Sequence, residues 1–359
     1  MRVLVTTGGT AGHIFPALAT IESLYKYIPD VEVLFVGATQ GLESKLAKQA
    51  SIPFQGLPVR GFMGKGILSS IKSFFLLLYS VLLALKIILR YKPTVIVGFG
   101  GYASLPSLLV GKLLCKPIVL HEQNSIPGTV TRLLAPYSHT LCVSFEDTKT
   151  YFSRANVVYT GNPIRSTLQL SDEKMNSHSF RNILVMGGSL GAMKINTLML
   201  AIAPLLLSKG FHIWHQTGMK HYKSVIALYE ENGLSSVRVS PFIEDMQEAY
   251  TWADFALCRA GASTITELSM MAIPAIFIPF PHAIYNHQYH NAQSVVHAKA
   301  GLCLDEATIT ESILLDAIQY ISTPSVFSDM KRNMGAFAKH SAGDNVAQQI
   351  HLICNRSLK

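Results

Sequence analysis

Only 14% of the 359 residues are charged, two are tryptophan and five are cysteine. The cysteines, Cys115, Cys142, Cys258, Cys303 and Cys354, are odd in number, widely spaced and never paired as CxxC. That excludes a disulfide framework and a zinc knuckle and points to reduced thiols in a cytosol. Asp-x-Asp occurs nowhere, so the chain carries no such motif for bridging a diphosphate through a metal. Met1-Arg2 leads straight into an apolar run without the apolar core and small-residue cleavage site of a secretory signal, and a cytoplasmic location is expected. The stretch "FFLLLYSVLLALK" contributes to an uncharged run from Ser73 to Leu85 of only 13 residues. A spanning helix needs about 20, so this segment is expected either to be a core helix or to lay one face on a bilayer surface.

What the chain does have is bulk, apolar content and positive charge. At 359 residues with 49% hydrophobic composition it has material for two cores. Its formal charge of +8 favours anionic partners. Nucleic acid is disfavoured, because aromatic residues are not interleaved with the basic ones.

Short apolar runs alternate with helix-length segments. Strands are expected at 2–7, 32–37, 94–99, 117–122, 140–145 and 156–161, and again at 182–187, 211–216, 237–242, 255–260 and 274–280. Strands this apolar belong to parallel sheets covered on both faces. The polar stretch 166–182 separates the two sets, giving an α/β chain of two doubly wound domains, 1–163 and 164–339.

Each set opens alike: "VLVTTGGTAGHIFPA" from Val3 and "ILVMGGSLGAMKIN" from Ile183 both read strand, Gly-Gly, hydroxyl residue, Gly, helix. The glycines allow close backbone approach, Thr10 and Ser189 are placed to cap the helices, and helix N-termini suit phosphate or sugar oxygens. Neither turn is GxGxxG or ends in Gly-Lys-Ser/Thr, which disfavours a dehydrogenase or an ATPase. Tight turns without a ligand remain the plain alternative. A third glycine turn, "GFGGYAS", follows the strand ending near Phe99. His13 stands just past the first turn, where an imidazole could serve as a base on a substrate hydroxyl or simply as a polar helix-start residue.

"HEQNSIPG" clusters polar side chains at a strand's carboxyl end. "CRAGASTITEL" spaces Thr264 and Glu267 as in a capping box and also places a carboxylate where a ribose diol could bind. "PFPHAIYNHQYHNA" brings His282, His287 and His290 close in sequence, but without the carboxylate or cysteine spacing of a zinc site; no metal is expected.

Taken in order, "GGTAGHIFPA", "GFGGYAS", "HEQNSIPG", "GNPIR", "GGSLGA", "CRAGASTITEL" and "PFPHAIYNHQYHNA" closely resemble the MurG family. These are the UDP-N-acetylglucosamine:undecaprenyl-diphospho-N-acetylmuramoyl-pentapeptide N-acetylglucosaminyltransferases of bacterial peptidoglycan synthesis. The resemblance covers nearly the whole chain. It implies the GT-B architecture: two Rossmann-like domains, an interdomain cleft, and a last helix near 340–359 crossing back to the first domain.

It further implies an inverting transfer from UDP-N-acetylglucosamine to the C4 hydroxyl of the lipid-linked muramoyl-pentapeptide, without a cofactor. By family position Ser189 meets the diphosphate, the Ile243 backbone the uracil, and Glu267 the ribose. Gln288 and Asn291 touch the N-acetylglucosamine, and Ala262, Ser263, Thr264, Ile265 and Thr266 shape the nucleotide pocket. Asn124 and Arg165 match donor positions. Thr10, Ala11 and Gly12 match donor-binding positions in a loop that faces the acceptor. Tyr102 and His121 match acceptor positions, His13 the base, and Arg259 is expected to stabilise the leaving group.

Against the family's usual pattern, TAG replaces TGG in the first turn, a change of one methyl. SLG replaces SQG in the second, which removes an amide at Leu190. A lipid-linked acceptor also implies peripheral attachment at the cytoplasmic membrane face. Ile67, Ile71, Phe74, Phe75 and Leu78 would form the docking surface, flanked by Lys65, Lys72 and Lys86 with Arg90 and Lys92, toward anionic lipid. Alternatives from the residues alone are another GT-B enzyme, such as a soluble UDP-sugar transferase or a UDP-N-acetylglucosamine 2-epimerase, or a nucleotide-sugar binder without catalysis.

Overall fold

The computed structural model describes residues 1–59, 67–164, 168, 170, 179–188 and 190–356, with the backbone alone for 67–72 and 356. The apolar runs become strands because parallel strands buried on both faces need apolar side chains on both. The chain divides into two compact units, Met1–Arg165 with Ser341–Lys359, and Ser166–His340.

In the first unit the strands are β1 (Arg2–Thr6), β2 (Glu32–Ala38), β3 (Phe54–Leu57), β4 (Val95–Gly98), β5 (Ile118–Glu122), β6 (Thr140–Val143) and β7 (Val157–Tyr159). They form one sheet in the order β3-β2-β1-β4-β5-β6-β7, and every pairing is parallel. The second unit has β8 (Asn182–Met186), β9 (His212–Gln216), β10 (Arg238–Ser240), β11 (Phe255–Cys258), β12 (Ala275–Phe277) and β13 (Gly301–Cys303). These run parallel in the order β10-β9-β8-β11-β12-β13. In each sheet the strand order reverses beside the first strand of the unit, at β1/β4 and β8/β11. Doubly wound sheets take ligands in the crevice outside the carboxyl ends of strands at such a point. All three glycine turns lie there, after β1, β4 and β8.

The eleven expected strands are all present. Two were not expected: β3 ("FQGL") and β13 ("GLC"). Both are short edge strands containing glycine, too brief for a periodic signal.

After α1 (Ala11–Tyr27) and α2 (Leu42–Gln49), the apolar segment forms α3 (Ile67–Tyr91), one continuous helix of 25 residues. Its length corrects the estimate from the uncharged run. Ser73–Tyr91 alone, 19 residues with a mean hydropathy of 2.0, would be long and apolar enough to cross a membrane on those criteria. Packing argues for a different use: Ser73, Ser80, Ala84 and Ile88 form a buried stripe at helical spacing, and Ala84 and Ile88 belong to the core. The opposite face, with Phe74, Phe75, Leu78, Tyr79 and Leu82, is exposed.

The last helix, Ala342–Arg356, belongs to the first unit and packs on α1 (Ala11–Tyr27), placing Val346, Ala347, Ile350 and Ile353 in that core. Asn345 ties it further by donating its side-chain amide to the Thr160 carbonyl at 3.3 Å.

Candidate active site

In the first unit the turns after β1 and β4 touch. Gly101 has φ +76°, and a methyl there would overlap the Gly8 carbonyl, so one of the two glycine signals serves loop packing. Thr10 is the N-cap residue of α1 by backbone conformation, but its side chain caps no amide. Instead Thr10 Oγ1 lies 2.9 Å from His13 Nδ1, which corrects the capping role. The His13 ring lies against Gly100: a Cβ there would stand 3.3 Å from its Cδ2, a tight contact.

Gly9 donates its N–H to Glu43 Oε1 at 3.1 Å, and Glu43 is buried. A carboxylate of the protein therefore occupies an amide that a phosphate would otherwise use. Tyr102 reaches over Gly9, half-buried, its hydroxyl pushed up by burial and by the Glu43 charge. Glu43 was not anticipated, and 34 residues of sequence separate it from its partner.

The "HEQNSIPG" segment is organised from within. His121 is fully buried: Nε2 donates to the Gly161 carbonyl at 3.0 Å, so Nδ1 accepts from the Gln123 amide at 3.1 Å. Burial holds its pKa down at about 4, with the Gly161 bond opposing and nearby His13 adding to the depression. Both nitrogens are committed, so His121 is a buried neutral strut. Glu122, also buried, accepts from the Asn124 and Gly128 amides at 3.1 and 3.0 Å, which shapes the loop carrying Asn124. Burial raises its carboxyl above the ordinary range, with the hydrogen bonds opposing.

In the second unit the helix Ala262–Met270 starts at an uncapped Gly261, with Thr264 already inside the first turn, so the capping-box reading fails. Thr266 Oγ1 donates to the Ala262 carbonyl at 2.9 Å. Ile265 and Ala262 are buried, Ile265 fully. Glu267 accepts the Tyr250 hydroxyl at 2.8 Å, which orients its carboxylate. Ile243 is buried beside exposed Phe242.

Three residues expected to touch the donor have hydrogen bonds that build the loop after β12. Arg259 donates to the carbonyls of Ile278 and Pro279 at 2.9 and 3.1 Å and pairs with Glu306, which supplies the negative charge. That pairing gives the guanidinium a counter-charge within its own unit. Asn291, fully buried, donates to the Ala260 carbonyl at 3.2 Å. Gln288 Oε1 accepts from the Phe280 amide at 3.0 Å. The loop crosses Tyr285 and Asn286 with φ +53° and +54°, two successive left-handed non-glycine residues. Such strain persists only where surrounding contacts impose it. His287 Nδ1 bonds the Ile284 carbonyl at 2.8 Å, and among the described residues no three His, Cys, Asp or Glu side chains group as metal ligands. Arg165, Ser189 and Lys65 lie outside the described residues, as do the side chains of Ile67, Ile71 and Lys72.

Residues 3–142 match the glycosyltransferase family 28 N-terminal domain, and residues 182–349 its C-terminal domain. The UDP-N-acetylglucosamine--N-acetylmuramyl-(pentapeptide) pyrophosphoryl-undecaprenol N-acetylglucosamine transferase of Nitratidesulfovibrio vulgaris (Miyazaki F) is 38% identical, covering 98% of this chain and 97% of its own. The enzyme of the same name from Cellvibrio japonicus is 37% identical, over 99% and 98%. The chain belongs to the MurG family. The crystal structure of Acinetobacter baumannii MurG superposes with a TM-score of 0.82 at 29% identity, covering 98% of this chain and 99% of that one. The two parallel sheets are thus the two Rossmann-like domains of the GT-B architecture, and this MurG-family chain is a hexosyltransferase.

Proposed function

We propose that this enzyme transfers N-acetylglucosamine from UDP-N-acetylglucosamine to the C4 hydroxyl of undecaprenyl-diphospho-N-acetylmuramoyl-pentapeptide, with inversion and without a metal. Family membership supports the substrates. The asymmetry between the two glycine turns carries the mechanism. In the first, Glu43 holds the Gly9 amide and His13 stands beside it. The second is left as the diphosphate turn, at the start of the helix Met193–Ser208.

In the tautomer that donates Nδ1–H to Thr10, His13 presents its Nε2 lone pair as general base. The acceptor hydroxyl gives its proton to Nε2 as its oxygen bonds the anomeric carbon. The bond from that carbon to the β-phosphate oxygen breaks, and UDP leaves. Backbone amides of the second turn and the helix dipole stabilise the departing diphosphate. Glu267, oriented by Tyr250, is suited to the ribose hydroxyls.

The enzyme works as a peripheral protein on the cytoplasmic face of the membrane, docking through α3. Phe74, Phe75 and Leu78 are 52%, 63% and 47% exposed, a patch of large apolar side chains flanked by Lys86 and Arg90 and suited to an anionic bilayer surface. Incubation with labelled UDP-N-acetylglucosamine and the lipid-linked acceptor, with and without EDTA, tests the reading. Label should enter the lipid as a β-linked sugar in both conditions. Label released as free sugar, or converted without the lipid acceptor, would point to another GT-B activity.

A further inference from the structure

His215, at the fourth position of β9, is fully buried and has no part in the transfer chemistry. Its Nε2 lies 3.0 Å from Asn196 Oδ1 and its Nδ1 3.0 Å from the Tyr229 hydroxyl. Asn196, also fully buried, sits in the first turn of the helix Met193–Ser208 and donates its amide to the Thr217 carbonyl at 3.0 Å.

These contacts fix every proton. Thr217 O only accepts, so the Asn196 amide nitrogen faces it and Oδ1 faces His215. Nε2 therefore carries the ring proton, and Nδ1 accepts from Tyr229. Burial keeps the ring neutral, lowering its pKa to about 3, so this direction holds at any working pH. Tyr229 O–H to His215, His215 N–H to Asn196 and Asn196 N–H to Thr217 form one continuous chain, fully satisfied at each buried link.

Its end point is the second glycine turn. Gly191 has φ +77°, and a methyl on it would overlap the same Thr217 carbonyl. The Gly191 amide closes the turn on Gly188 at 3.0 Å, and the Asn196 amide bonds the Ala192 carbonyl at 2.9 Å. Asn196 thus grips the carbonyl on which the turn rests and belongs to the helix that the turn opens.

We infer that His215, Asn196 and Tyr229 are positioning residues for the donor, holding Gly191 and Ala192, where the second glycine turn enters its helix, in the form that receives the diphosphate. This rests on the proposed function, which gives that turn to UDP.

The test is titration of the full-length protein with UDP by calorimetry, beside the KM for each substrate. Asn196→Ala removes the bonds to both Thr217 and His215, and loss of the one at the Thr217 carbonyl should weaken UDP binding about tenfold, with the acceptor KM unchanged. His215→Gln, which still offers Asn196 an N–H, should stay within about threefold of the parent. Should Asn196→Ala fail to fold, Tyr229→Phe takes its place, with an expected loss of about threefold. Parent-like UDP affinity in Asn196→Ala, or in Tyr229→Phe where that variant is used, would overturn the inference whatever the unfolding temperature does. Failure of the parent to bind UDP would overturn the functional reading itself.

Discussion

His13 and Arg259 both stand in signature motifs and differ in the partners that hold them. His13 is where the glycine turn predicts, and Thr10 orients it. His13→Ala should lower kcat by about 100-fold or more, the contribution of a positioned base, and Thr10→Val should cause a smaller loss by releasing the ring. Steady-state kinetics check both, and a kcat within a few-fold of the parent for His13→Ala would remove the base. Arg259, His121 and Asn291 are polar residues in signature motifs, yet each spends its hydrogen bonds inside the protein. The motifs were legible, but the partners were not: Glu306 lies 47 residues from Arg259, and Gly161 lies 40 from His121. Glu306→Gln leaves the largely buried Arg259 without its counter-charge and should destabilise the fold by about 1–3 kcal/mol in denaturant unfolding. An unchanged midpoint would show the pair to be dispensable.

Among the elements, the strands were readable because each central strand is apolar on both faces. The edge strands β3 and β13 were not, being short and interrupted by glycine. The uncharged run ends before Lys86 while α3 continues to Tyr91, because a helix carries an exposed lysine without breaking. Its two faces make opposite predictions. Ile88→Ala, in the core, should cost about 2–5 kcal/mol of stability. Phe74→Ser with Phe75→Ser should leave the unfolding midpoint near the parent's, since both rings are exposed, while abolishing sedimentation with vesicles containing anionic lipid. Full vesicle binding by that variant, or parent binding indifferent to anionic lipid, would refute the docking surface.

At the scale of the whole molecule, two buried neutral histidines link stability to pH. The pKa of His121 is depressed from 6.5 to about 4 and that of His215 to about 3, both by burial. Between 6.5 and those values the unfolded chain binds protons that the folded chain refuses. Their contribution is therefore complete above pH 6.5 and is lost as pH falls through the window. Glu122, raised by burial, has the opposite sign, its contribution being lost as pH rises. Thermal unfolding from pH 7 to 4.5 should show a falling midpoint, and His215→Gln should flatten that fall; an equally steep profile in the variant would contradict it.

The same architecture occurs twice in the chain, and under the proposed function the first unit supplies the base and the second holds the donor. The most direct test measures both duties in one variant, as UDP affinity and as sugar transfer to the lipid-linked acceptor by His13→Ala. We expect parent-like UDP binding with transfer reduced by about 100-fold or more. Transfer near the parent rate, or a matching loss of UDP binding, would contradict the division of labour.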